Sequence, residues 1–127
     1  MKREYSLKGR ESFRELFAKG RRINGKSVRL MVLMGNLHTE VIRIDSTIGK
    51  ESINPKIGVV VHKKYGNAVQ RNRAKRRIRA ICNQFLPSIR SDCSVIISPK
   101  ERFRTMSYND AVQDISECFQ KAGILRS

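Results

Sequence analysis

An α+β or α/β sandwich, with one sheet covered by helices, is the fold class this sequence predicts, and three observations predict it. Periodic segments follow the order helix, strands, helix, strand, helix, which suits layered packing around one core. Two short β-branched runs, IGVVVH at 57–62 and SVIIS at 94–98, flank a long helical pattern. The 127 residues, 39% hydrophobic and 30% charged, suit one folded domain spanning 1–127 that needs no disulfide or metal staple.

The first helix is expected over Gly9 to Lys19, where Phe13, Leu16 and Phe17 fall at i, i+3 and i+4 and Gly20 supplies the stop. Ser27 to Met34 (SVRLMVLM) reads as a strand ending at the Gly35-Asn36 turn, with a very short strand before it at Arg21 to Asn24. The stretch 36–55, with one β-like run from Val41 to Ile44, is expected to be a loop or extended hairpin. Three consecutive valines in Ile57 to His62 predict a strand buried on both faces, paired with Ser94 to Ser98. Ala68 to Leu86 is a helix capped by Asn67, with Pro87 just beyond its end. The last helix runs from Tyr108 to Ala122: Ser107 caps it, Asp110 suits its first turn and Gly123 closes it.

The net charge of +16 is concentrated. Residues 1–35 carry 10 basic and 3 acidic side chains and 63–85 carry 8 and 0, whereas 36–62 (3 and 3) and 86–127 (6 and 5) are nearly neutral. Two basic blocks in one small domain are the footprint of a polyanion, nucleic acid first. On a helical wheel with Arg71 at zero, Ala74, Ile78, Ile81, Cys82 and Phe85 form a stripe between about 280° and 20°, and Arg73, Arg76, Arg77 and Arg79 spread over about 80° to 240°. Like charges meet at i+4 in Arg71/Lys75, Lys75/Arg79 and Arg73/Arg77 and at i+3 in Arg73/Arg76 and Arg76/Arg79. These five pairs together cost roughly 1–2.5 kcal/mol before screening. Phosphates bound along this face would relieve the repulsion, and the free N–H groups at Asn67 to Val69 would accept one more.

Other chemistry is poorly supplied. Cys82, Cys93 and Cys118 form an odd set without a C-x-x-C pair, as expected of buried, reduced thiols. His38 and His62 stand at no metal-ligand spacing from them, and His62 is expected to pack at a strand end. A nuclease site would need clustered carboxylates or paired histidines, but Asp92, Asp110, Asp114 and Glu117 lie in the near-neutral third. No apolar run approaches a membrane span and the N-terminus has no signal-peptide core, so a cytoplasmic protein without membrane or evident protein partner is expected. Phe13 and Phe17 lie one turn apart on the first helix; for each, core packing and a role as stacking platform for bases stay open.

The run KKYGNAVQRNRAKRRIR, Lys63 to Arg79, resembles the signature of the bacterial ribonuclease P protein subunit: a Lys pair, Gly-Asn-Ala-Val, an Arg-Asn-Arg core, Lys-Arg and a further Arg one turn on. Phe13, Phe17, Gly20 and the order of elements extend the likeness over almost the whole chain. The resemblance implies an α-β-β-β-α-β-α sandwich with a mainly four-stranded sheet and a left-handed β-α-β crossover, the arrangement of the second domain of a small-subunit ribosomal protein. It also implies an RNA-binding subunit that assists a catalytic RNA in removing the 5′ leader of precursor tRNA, with no catalytic residue in the protein and Mg2+ required by the RNA. By matching position, Lys63, Lys64, Arg71, Arg73, Arg76 and Arg77 would meet the catalytic RNA. Phe13, Phe17, Met31, Asn72, Lys75 and Arg79 would line a cleft for the leader. The chain departs from the family in Met31, which stands where an aromatic is frequent, in Ala80 after Arg79, and in the length of 36–55. A generic rRNA-binding protein, the alternative, would account for the charge but not for the Arg-Asn-Arg run.

Overall fold

The computed structural model describes residues 5–7, 9–34 and 55–126. The expected connection 36–55, with its run Val41 to Ile44, lies outside the described residues except for Pro55. Helix α1 (Arg10–Lys19) leads into strands β1 (Arg21–Asn24) and β2 (Val28–Met34). Strand β3 (Lys56–Val59), helix α2 (Ala68–Phe85), strand β4 (Cys93–Pro99) and helix α3 (Tyr108–Ala122) follow. Short 3-10 turns at Lys63–Tyr65, Leu86–Ser88 and Glu101–Thr105 join them. The sheet has the order β1-β2-β4-β3, antiparallel except for the parallel β3–β4 pair that brackets α2.

Alternation along the strands gives the sheet two unequal faces. Val28, Leu30 and Val32 of β2 and Cys93, Val95 and Ile97 of β4 join the main core with the apolar stripes of α2 and α3. The opposite face carries Met31 and Ile96, covered by Leu7 and Leu16, with Phe13, Leu33 and Val60 packed against them. α1 therefore lies on one side of the sheet and α2 and α3 on the other. Phe85 and Phe119 join α2 to α3 edge to face, ring centres 5.6 Å apart.

Local chemistry sets the boundaries. Asn67 and Gln70 form a reciprocal capping box at the start of α2. Asn67 N–H thus donates to Gln70 Oε1, which removes one of the backbone donors expected to be free for phosphate. Ser107 caps α3, and Gly123 closes it at φ 71°, the left-handed conformation that glycine adopts without strain. β3 ends three residues before the expected His62. Val60 N–H still reaches Ile97 O, but the next rung needs a donor from Pro99, which has none. β3 is also an edge strand rather than one buried on both faces, and Val59, Val60 and Val61 are only half-buried.

The turn between β1 and β2 is held from beneath. Asp114 of α3, 4% exposed, accepts hydrogen bonds from Lys26 N–H, Ser27 N–H and Ser27 Oγ. Lys100 donates through Nζ to Gly25 O, and its N–H to Ser27 O. Any side chain at Gly25 would run into Cys118 Sγ. Burial raises the Asp114 carboxyl pKa, but the hydrogen bonds from Ser27 and Lys26 and the Lys26 charge outweigh it and leave the group below its ordinary 3.8. All three cysteines are free and buried, and burial pushes Cys82 and Cys93 up to about 12 and Cys118 to about 11, so they stay as unreactive thiols.

A lowered carboxyl pKa stabilises the fold above the unfolded-state value and is lost as pH falls through the folded value. Asp114→Asn should lower the unfolding free energy at neutral pH by about 1–3 kcal/mol. In urea titrations repeated down the acid range, wild type should lose stability below pH ~4 more steeply than the variant. Parallel acid limbs would remove Asp114 as the titrating clamp.

Candidate nucleic-acid interface

On the α1 side of the sheet, two cross-strand rows meet beside α1. Arg22, Met31 and Ile96 form one, continued by Gly58 on β3, and Asn24, Arg29 and Ser98 form the next. Apart from Gly58, these residues line a groove of about 520 Å³ together with Phe17, Leu30 and His62. α1 reaches one wall of it because Gly20 lets the helix end close against β2; a Cβ there would stand 2.6 Å from Leu16 O and 2.9 Å from Met31 Cγ. Phe17 is 47% exposed at this wall, whereas Phe13, one turn earlier, is half-buried against Gly58, where a Cβ would come within 2.9 Å of its ring. Of the two phenylalanines, Phe17 is thus the one free to stack. Met31, 9% exposed, is part of the floor and of the small core beneath it.

Among the described residues, the lining holds one phenyl ring, two arginines, a histidine, an amide and a hydroxyl, and no carboxylate. Such a surface attracts a polyanion and offers a flat face and short polar groups to unstacked bases. Arg22, Asn24, Arg29, Ser98 and His62 were not anticipated. The signal for Arg29 was present, because it shares the period-two face of Met31, but β1 is too short to betray its register. His62 is exposed in the groove rather than packed, since the chain leaves the sheet after Val60.

The basic helix lies across the sheet from α1, so Asn72, Lys75 and Arg79 are not among the groove's lining residues. This corrects the expected cleft, in which α1 and α2 would share one groove. Two apolar stripes can face the same sheet from opposite sides, and here they do. Arg73, Arg76 and Arg79 are exposed, as are Lys63 and Lys64 on the turn before α2, and none of these side chains makes a hydrogen bond or ion pair among the described residues. Arg71 is partly committed: its Nη1 donates to Gly66 O at 2.6 Å and holds that turn against the helix.

Arg77 is not available for RNA in the way its wheel position suggested. Its Nη2 donates to Met106 O at 2.9 Å and its Nη1 to Phe103 O at 3.4 Å, and the guanidinium lies 4.8 Å from the Phe103 ring centre. It fastens α2 to the 101–105 turn. Among the described residues, no three His, Cys, Asp or Glu side chains come together as a metal site, and no helix is long and apolar enough to cross a membrane.

The ribonuclease P family profile matches residues 1–123. The chain belongs to the ribonuclease P protein family. Members thus make up the protein component of a tRNA-processing endoribonuclease. The ribonuclease P protein component of Bacillus cereus strain Q1 is 30% identical over 126 residues, 99% of this chain and 97% of that one. That of Symbiobacterium thermophilum is 28% identical over 126 residues with the same coverage, 99% and 97%. In fold, the chain is similar to the RNase P protein of Staphylococcus aureus, with a TM-score of 0.76 at 21% identity over 96% of this chain and 98% of that one. It is also similar to the RNase P protein of Thermotoga maritima, with a TM-score of 0.72 at 16% identity over 91% and 96%. Within this family fold, the elements that place Phe17, Met31 and α2 are those described above.

The unlike surroundings of two neighbouring arginines can be measured. Arg77→Ala should lower the unfolding free energy by about 1–3 kcal/mol through lost charged hydrogen bonds and ring contact. Arg76→Ala should change it by less than about 0.5 kcal/mol. Equal losses in denaturant titration would show that the Arg77 contacts do not hold in solution.

Proposed function

We propose that this chain binds the catalytic RNA of ribonuclease P through the exposed cations of α2 and the turn before it, and the 5′ leader of precursor tRNA in the groove beside α1. The composition of the groove carries the reading: an exposed ring and two arginines line it, with no carboxylate among the described residues. Stacking on Phe17 contributes ~1–3 kcal/mol per base and tolerates any base, while Arg22 and Arg29 hold the backbone. Asn24, Ser98 and His62 add short-range donors and acceptors at the open end of the floor.

The two surfaces lie on opposite sides of one sheet, so one small protein bridges its RNA and its substrate. Lys63, Lys64, Arg73 and Arg76 face the catalytic RNA, with Asn72, Lys75 and Arg79 beside them on α2. The hydrolytic chemistry, with its Mg2+, belongs to the RNA; the described lining of the groove offers a divalent ion no carboxylate. The protein acts by differential binding, since mature tRNA has no leader and gains nothing from the groove. Three buried, reduced cysteines suit a cytoplasmic site of action.

Reconstitution with a bacterial ribonuclease P RNA at low magnesium tests the whole reading: the protein should stimulate cleavage, and alone should cleave no RNA. Absence of stimulation would favour a generic rRNA-binding role. Within the holoenzyme, Phe17→Ala and Arg29→Ala should weaken precursor binding by about 1–3 kcal/mol and leave mature tRNA nearly unaffected. Arg79→Ala should instead weaken assembly with the catalytic RNA and affect both tRNAs alike. Selective loss of precursor in Arg79→Ala, with Phe17→Ala silent, would return the leader to α2.

A further inference from the structure

The 3-10 turn Glu101–Thr105 is fastened to the basic helix by its one buried side chain. Phe103 is 0% exposed, with the Arg77 guanidinium over its ring and Arg77 bonded to Met106 O just beyond the turn. The next residue, Arg104, is exposed, and its guanidinium lies 4.8 Å from the ring centre of Tyr65, itself 7% exposed. Tyr65 ends the Lys63–Tyr65 turn that precedes α2, so Arg104 sits where two separate segments meet beside the helix. Arg73 and Arg77 of α2 also act electrostatically on the Tyr65 phenol. Arg104 thus stacks on one ring, Tyr65, while Arg77 stacks on the neighbouring Phe103.

Arg104 makes no ion pair among the described residues, although Glu101 stands in the same turn. A guanidinium stacked on an aromatic face keeps N–H donors at its rim and loses side-chain freedom before any ligand arrives. Charge that no acid pairs, held in one place and beside the cationic helix, is the arrangement a phosphate backbone needs. We infer that the catalytic-RNA surface extends past α2 onto the 101–105 turn, with Arg104 as a pre-positioned phosphate contact on the Tyr65 ring. This rests on the proposed role of α2.

The test is the salt dependence of holoenzyme assembly, measured by titrating the full-length protein into ribonuclease P RNA over a range of monovalent salt. Arg104→Ala should make the log K against log salt slope shallower by roughly 0.7 to 0.9, so that between about 50 and about 200 mM salt the variant loses roughly threefold less affinity than wild type. Arg104→Lys should keep the slope, because the charge remains. Lys121→Ala, on the far end of α3, should leave it unchanged; a slope change there equal to that of Arg104→Ala would mean that net charge alone is responsible and would overturn the proposal. Thermal melts of each free variant, matched to wild type, separate binding from folding, and Arg104→Lys carries the test if Arg104→Ala melts early: a slope reduced in the lysine variant would then overturn it. A slope changed by Arg73→Ala but not by Arg104→Ala ends the surface at α2. Slopes changed by neither would remove α2 as the RNA-binding face and the extension with it.

Discussion

Period-two alternation along β2 and β4 is the constraint on which the rest of the molecule depends. Because successive side chains point to opposite faces, seven-residue strands supply two cores at once. The larger receives Leu30, Val32, Val95 and Ile97 and supports α2 and α3; the smaller receives Met31 and Ile96 and supports α1. A one-residue slip would exchange these sets and turn Arg29 into the main core. The clamp of Asp114 and Lys100 on the β1–β2 turn holds that register at the hairpin, which makes it part of the groove's construction.

The unequal faces divide the labour. A large core can carry a helix whose outer surface is almost wholly cationic, since the repulsion of a few kcal/mol is small beside the apolar area buried under it. A small core, with one short helix leaning on it, leaves part of that sheet face uncovered among the described residues. The groove lies there, along the row of Asn24, Arg29 and Ser98 and the rim of the buried Met31 and Ile96. Binding surface thus arises where packing is incomplete, and it is rigid because the floor belongs to the central strands.

Legibility in the sequence followed the range of the interaction. α3 could be read to the residue because Ser107, Asp110 and Gly123 act on their own backbone. The Asn67 cap, the apolar stripe of α2 and the pairing of the two valine- and isoleucine-rich strands were equally local or strongly patterned. The end of β3 was not readable, because it depends on a missing donor in Pro99, on a different strand. Phe13 and Phe17 looked alike until Gly58 made room for one of them. Arg77 looked as exposed as Arg76, and only the carbonyls of Phe103 and Met106, far along the chain, distinguish it. The expected shared cleft failed for the same reason: a helical wheel says which stripe is buried, not on which side of the sheet.

The two edges of the sheet are protected by different means. Along β3 the N-terminal segment adds a rung, with Leu7 N–H on Ile57 O and Ser6 bridged to Ile57. At the other edge, no strand among the described residues lies beyond β1, and an exposed sheet edge invites a strand from another molecule. Its sequence, Arg-Arg-Ile-Asn, is short and charged, and two such edges brought together would set arginine against arginine. The side chain of Arg21 is further tied back to Ala122 O at the end of α3. Arg22, which contributes to the potential of the groove, therefore also guards the sheet edge against growing by self-association, and it keeps a nucleic-acid surface from becoming a polymerisation surface.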